Sequence, residues 1–264
     1  MGDTEHCQCD PRCKLKLSRK DSFCKKHTRS CPRKSPLTGW EPKYEPKKWS
    51  FNPKIRKTHN CFSYAMNVQD IRQVKACGEE PNCNVSYHQP GAAAQFPGFS
   101  EGKLKSCPEM TARIRGENPT IYTINFTSQC GKGTSKIAVV VDPDEDYHFY
   151  RQDSNGYWSH KPGSLKVTNK DASGRLIYDP ALANRNYKKQ GSDLDYSSFC
   201  SYYCVPRNQS LYMKVGGGAT SLCAASSSPP TRSGYSSTRR SRDHTRQEPR
   251  RNRTVRKGRD SSSS

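Results

Sequence analysis

Core-forming residues are scarce in this chain. Hydrophobic types make up 31 % of its 264 residues, and the mean hydropathy is −1.03. That supports one core, but not one that uses the whole chain. No apolar run approaches the roughly 20 residues a membrane helix needs, so no transmembrane segment is expected. The opening MGDTEHCQCD lacks the apolar stretch of a secretory signal, and His6 stands where a myristoylation signal needs Ser or Thr. These absences point to an intracellular reducing compartment, cytoplasm or nucleus, with a virion as a further setting. In such a compartment thiols are read first as metal ligands or catalysts and only second as disulfides. Acidic residues are also few, 24 against 45 basic ones, giving a net charge of +21. That charge is uneven: +10 over residues 1–60, +3 over 61–223 and +8 over 224–264. A nearly neutral middle is flanked by two basic segments that suit nucleic acid or another polyanion.

Cysteine is plentiful, with 13 residues. Residues 1–35 are dense in Cys, Lys and Arg, and are expected to form a zinc-binding segment. A stretch this short and polar cannot fold on apolar burial alone, and metal binding would supply the missing free energy. Cys24 and His27 are spaced to sit on one turn, and a distant cysteine pair can close a tetrahedron around zinc. The chosen ligands are Cys13, Cys24, His27 and Cys31, with Cys7 or Cys9 as substitutes. Residues 36–56 carry prolines and charges and are expected to be an extended linker, with Trp40, Tyr44 and Trp49 lying in part against the next domain. Residues 57–215 form the core. Residues 224–264 are rich in Ser and Arg, lack core formers, and are expected to be disordered.

Within the core, CFSYAMNVQDIRQV has apolar residues at helical spacing, and Asn60 before it is a good N-cap. TIYTINFT, KIAVVVD, GRLIYDP and QSLYMKV have the character of strands. The order of one early helix followed by mostly antiparallel strands predicts an α+β domain. DYHFYRQDSNGYWSHK predicts a hairpin. Its DSNG has Asp at the first and Gly at the fourth turn position, the pattern of a type I turn closed by a glycine bulge. The loop is then 154–156, Asp153 faces Tyr157, and Tyr150 pairs with His160. His148 and His160 share a face, diagonal to each other. FCSYYC is read as a packed core segment, with Cys200 and Cys204 spaced for a helix or a metal hook.

Cys61 opens the predicted helix, where the positive end of the dipole and unpaired amides favour a thiolate. A nucleophile needs a base. The expected triad has Cys61 attacking, His148 taking the proton and His160 orienting His148, with Gln152 as the alternative orienting residue. This pattern over residues 57–165 resembles the NlpC-type papain-like cysteine peptidases. The resemblance implies a papain-like core with its catalytic helix packed on an antiparallel sheet, and cleavage of an amide or ester bond in a peptide or acyl substrate. The overall layout also resembles uncharacterised proteins of large DNA viruses. The rival expectation is a non-enzymatic, zinc-binding, nucleic-acid-associated virion or nuclear protein, with Cys61 simply buried.

Overall fold

The computed structural model describes residues 7–13, 15, 17, 21–79, 83–99 and 105–215. The expected basic tail, 224–264, lies outside the described residues. Four short helices come first: α1 (Pro46–Ser50), α2 (Pro53–Thr58), α3 (Cys61–Met66) and α4 (Ile71–Ala76). A longer helix, α5 (Cys107–Glu117), precedes strands β1 (Tyr122–Ile124), β2 (Thr134–Asp142), β3 (Asp146–Gln152), β4 (Trp158–His160) and β5 (Ser198–Pro206). The five strands form one antiparallel sheet in the order β1-β5-β2-β3-β4, so the α+β class holds. Among the described residues no helix is long and apolar enough to cross a membrane.

Strand periodicity sorts side chains onto two covered faces. Ile137, Val139, Val141, Tyr147, Phe149, Tyr203 and Val205 point to one face, where Cys61, Phe62, Ala65 and Met66 of α3 and Met110 and Ile114 of α5 pack on them. Ala138, Val140, Tyr150, Trp158 and Tyr202 point to the other, where Ile177, Ala183 and Tyr196 from the long β4–β5 connection cover them. Burial on both faces explains why β2 reads as a continuous apolar run rather than an alternation.

Every residue of α3 is buried, so its ends need partners inside the protein. The Asn60 side chain accepts from Ser63 N–H at the N-terminus, and Asn67 closes the C-terminus in the left-handed region, φ 59°. Two arginines, Arg151 buried and Arg207 half-buried, bond the last carbonyls. Arg207 donates to Met66 O (2.8 Å) and Ala65 O (3.0 Å), and Arg151 to Tyr64 O (3.3 Å). Positive charge at a helix C-terminus is favourable, which ties α3 to β3 and to the segment after β5.

The hairpin has the expected register. Tyr150 pairs with His160, Asp153 N–H donates to Tyr157 O, and Gly156 takes φ 84°. The segment 36–56 departs from the expected extended linker. It holds α1 and the start of α2, and Trp49 is buried against Tyr64 (ring centroids 5.1 Å apart). FCSYYC belongs to β5, a strand beside β2, rather than to a helix or hook. GRLIYDP makes only isolated bridges, Ile177 to Trp158 and Leu176 to Lys170, and QSLYMKV forms no strand.

Disulfides join elements far apart in sequence: Cys107–Cys200 links α5 to β5, and Cys130–Cys204 links the loop before β2 to β5. Cys200 falls at an irregularity in the β2–β5 register, where Val139 pairs with Ser201 but Val140 with Phe199. That bulge leaves Cys200 unpaired in the ladder and turns it toward α5. Cys77–Cys83 and Cys9–Cys31 close smaller loops.

Candidate functional site

In the N-terminal segment, one turn is closed by His27 N–H donating to Cys24 O (2.9 Å), which sets Cys24 Sγ 3.3 Å from His27 Nδ1. Successive turns at Asp10 and Cys13 fold the chain back on itself, and Gln8 N–H bonds Ser22 O. Cys7 Sγ then lies 3.4 Å from His27 Nδ1 and accepts from Cys24 N–H at 3.3 Å, and Cys13 Sγ lies 3.2 Å from Cys24 Sγ. The four ligand atoms of Cys7, Cys13, Cys24 and His27 all fall within 4.8 Å of one another. Cys7, Cys24 and His27 are buried. Three sulfurs and one imidazole nitrogen at this separation are a set that can hold a tetrahedral metal ion. Cys13, Cys24 and His27 are the ligands expected from the sequence. Cys31 is not one of them, because it is bonded to Cys9, and Cys7 takes the fourth position.

This centre is not a free-standing module. Gln8, 1 % exposed, accepts from the backbone N–H groups of Tyr178 (2.6 Å) and Asp179 (3.2 Å) and donates to Asp171 (3.2 Å). Phe23 meets Tyr178 edge-on at 4.8 Å, and Arg33 pairs with Asp179 at 3.0 Å. The Cys/His-rich segment therefore packs on the β4–β5 connection.

His148 Nε2 and His160 Nδ1 are 2.8 Å apart, as the hairpin register requires. Burial lowers both pKa values below the ordinary histidine range, that of His160 to about 4, so both rings are neutral near pH 7. Cys61 does not join them. It packs with Phe149 and Tyr147 on the helical face of the sheet, whereas His148 lies on the opposite face, against Tyr150 and Tyr196. The sheet itself separates the expected nucleophile from its expected base. Cys61 is moreover disulfide-bonded, so its sulfur is not a thiolate. Gln152 shares the His148 face, but its amide is spent on Ser35, accepting from Ser35 Oγ (3.1 Å) and donating to Ser35 O (3.0 Å).

A polar cluster that the sequence reading did not assemble surrounds the start of α3. His59 Nε2 accepts from Asp70 N–H (2.8 Å), and its other ring nitrogen lies 3.0 Å from Ile55 O. His88 spans Ser63 Oγ and Asp70 Oδ2, both at 3.4 Å. Burial lowers the pKa of His59 to about 4 and that of His88 in the same direction, with Asp70 opposing. Ser63 and His88 are buried, and Asn60 donates to His88 O, so the cluster serves to seat α3 on the segment around His88. The helix-opening NC pair was the available signal, but nothing in the sequence tied it to residues 70 and 88.

The molecule is thus an α+β protein cross-linked by disulfides, with a Cys3His group docked on its core. It is 34 % identical over 145 residues to insoluble matrix shell protein 1 of Ruditapes philippinarum, a match spanning 54 % of this chain and 81 % of that protein. The chain belongs to the family of that shell protein. No family model and no solved structure matches the chain.

The intracellular, reducing setting expected from the sequence is corrected by these findings. The relative is a shell matrix protein, and four disulfides bridge described residues, with Cys61 oxidised as well. Such bonds form and persist in oxidising environments.

Proposed function

We propose that this chain is a structural, non-catalytic component of an extracellular matrix, a reading supported by a relative named as an insoluble matrix shell protein, and that its Cys3His group holds a structural zinc ion. The observation that carries the reading is the oxidised core: the cysteine placed to be a nucleophile is bonded instead, and two long-range disulfides hold α5, the loop before β2 and β5 together. A thiol hydrolase needs a free thiolate beside its base. A matrix protein needs a fold that persists outside the cell, and disulfides between distant elements supply it. Zinc suits the three thiolates and one imidazole, and needs no open coordination position in a structural role. The Cys24 N–H donated to Cys7 Sγ orients that sulfur within the group.

Fractionation of the tissue that makes the chain tests the proposal. The chain is expected in the residue left after salt and detergent extraction, together with zinc at about one ion per chain by elemental analysis. Recovery in the soluble cytosolic fraction with Cys61 alkylatable would overturn it.

A further inference from the structure

A cavity of about 750 Å³ opens on the face of the sheet away from α3 and α5, between β3, β4 and the β4–β5 connection. Its size falls in the range of small-molecule sites, about 300–1,000 Å³. Three features of its wall define what would fill it. Arg56, Lys166 and Lys170 stand around it, and among the described residues none of the three side chains is in an ion pair. Among the described residues the one carboxylate in the wall, Asp171, is occupied by the N–H groups of Ser173, Arg175 and Asn184 and by Gln8. The cavity is therefore positive. Tyr187 and Tyr196 supply aromatic surface, their rings 6.2 Å apart and perpendicular within a few degrees.

The third feature is the histidine pair, whose tautomers follow from its partners. Lys170 O can only accept, so His160 Nε2, 3.0 Å away, carries the proton. His160 Nδ1 is then a lone pair, and His148 Nε2–H donates to it at 2.8 Å. The proton of neutral His148 is thereby used, and its Nδ1 is an acceptor. That atom is buried and has no partner among the described residues. A buried acceptor without a donor carries a desolvation cost that a ligand hydroxyl would remove.

We propose that this cavity is a binding site for an acidic saccharide unit, its carboxylate or sulfate held by Arg56, Lys166 and Lys170, its apolar ring face against Tyr187 and Tyr196, and a hydroxyl turned to the His148–His160 pair. The cations select charge, the tyrosines select a ring, and the histidine acceptor selects a hydroxyl donor over a simple inorganic anion. The proposal stands on the cavity alone and is independent of the matrix assignment.

The test is calorimetric titration of the full oxidised chain with a glucuronate-containing disaccharide and with its neutral glucose counterpart. A disaccharide carries too little charge to be held by the basic segments in the way a polymer would. The Lys166→Ala/Lys170→Ala variant removes two exposed cations without disturbing the core. Lys75→Ala/Lys132→Ala, exposed and away from the cavity, is the charge-matched control. The acidic sugar should bind at least about tenfold more tightly than the neutral one, and the first variant, but not the control, should weaken it about tenfold. Saturation should also shift the His148 ring nitrogen resonances. Absence of binding, equal binding of the neutral sugar, or equal weakening by the control variant would overturn the proposal. So would inorganic phosphate or a nucleoside monophosphate displacing the sugar with equal affinity.

Discussion

Replacing both members of the Cys107–Cys200 disulfide by serine isolates what a long-range cross-link contributes to this fold. Both residues are only partly buried, so the serine hydroxyls keep access to water and the change acts chiefly through the unfolded chain. Its sequence separation is 93, but with Cys130–Cys204 intact the loop it closes runs through that bridge and spans about 28 residues, for which the chain-entropy relation gives about 3.6 kcal/mol at 25 °C. Loss of packing against the core on the helical face adds little, because the side-chain volume is nearly kept. A loss of about 3–5 kcal/mol is expected, and in a domain of this size it should lower Tm by roughly 6–20 °C. Equilibrium urea unfolding measures it directly, with m expected to rise because the uncross-linked chain exposes more surface. The remaining disulfides must be verified by mass spectrometry in both proteins. A loss below about 1 kcal/mol, with the bond confirmed in the parent, would refute the view that disulfides carry this fold.

Metal removal is expected to act on the N-terminal segment first. A strong chelator should expose Cys7, Cys13 and Cys24 to alkylation, while Cys9 and Cys31 stay protected by their bond. His27→Ala should lower zinc affinity, and Cys31→Ser should not, as elemental analysis after dialysis would show. The His148–His160 pair should remain neutral well below pH 6.5, because burial lowers its affinity for protons and places that of His160 near 4. Ring nitrogen shifts that report protonation at pH 6 would contradict the tautomer chain. Glu117 is held up to about 7, against an ordinary 4.5, because burial disfavours its charge. The folded state therefore binds its proton more tightly, and stability is lost as pH rises through that window. Glu117→Gln should improve relative to the parent by up to ~3 kcal/mol between pH 4.5 and pH 8, measured as the difference in unfolding free energy.

Local chemistry was legible in the sequence, and long-range geometry was not. DSNG determines the hairpin because a turn type imposes a loop length, and loop length imposes register and face. The His148–His160 contact follows from that alone. Periodicity shows which strand residues share a face, but not which face a helix elsewhere will cover. Cys61 consequently looked like a partner for His148, when α3 in fact packs on Tyr147 and Phe149 across the sheet. β5 escaped recognition because both its faces are covered and a bulge at Cys200 breaks its alternation. The Cys24-x2-His27 turn is a local signal and was found. The choice between Cys7 and Cys31 depends on the fold-back at Asp10 and on the Cys9–Cys31 bond, which spacing does not encode. Pairings such as Cys107–Cys200 depend on how α5 lies against β5, which spacing does not encode.

Thiol mapping of the protein isolated from its natural source, by differential alkylation before and after reduction, tests most directly whether the chain is an oxidised structural protein rather than a thiol enzyme. Cys61, Cys107, Cys130, Cys200 and Cys204 should label only after reduction, and Cys7, Cys13 and Cys24 only after metal removal. Rapid labelling of Cys61 in the native, unreduced protein would contradict the structural reading and return the chain to the thiol hydrolases.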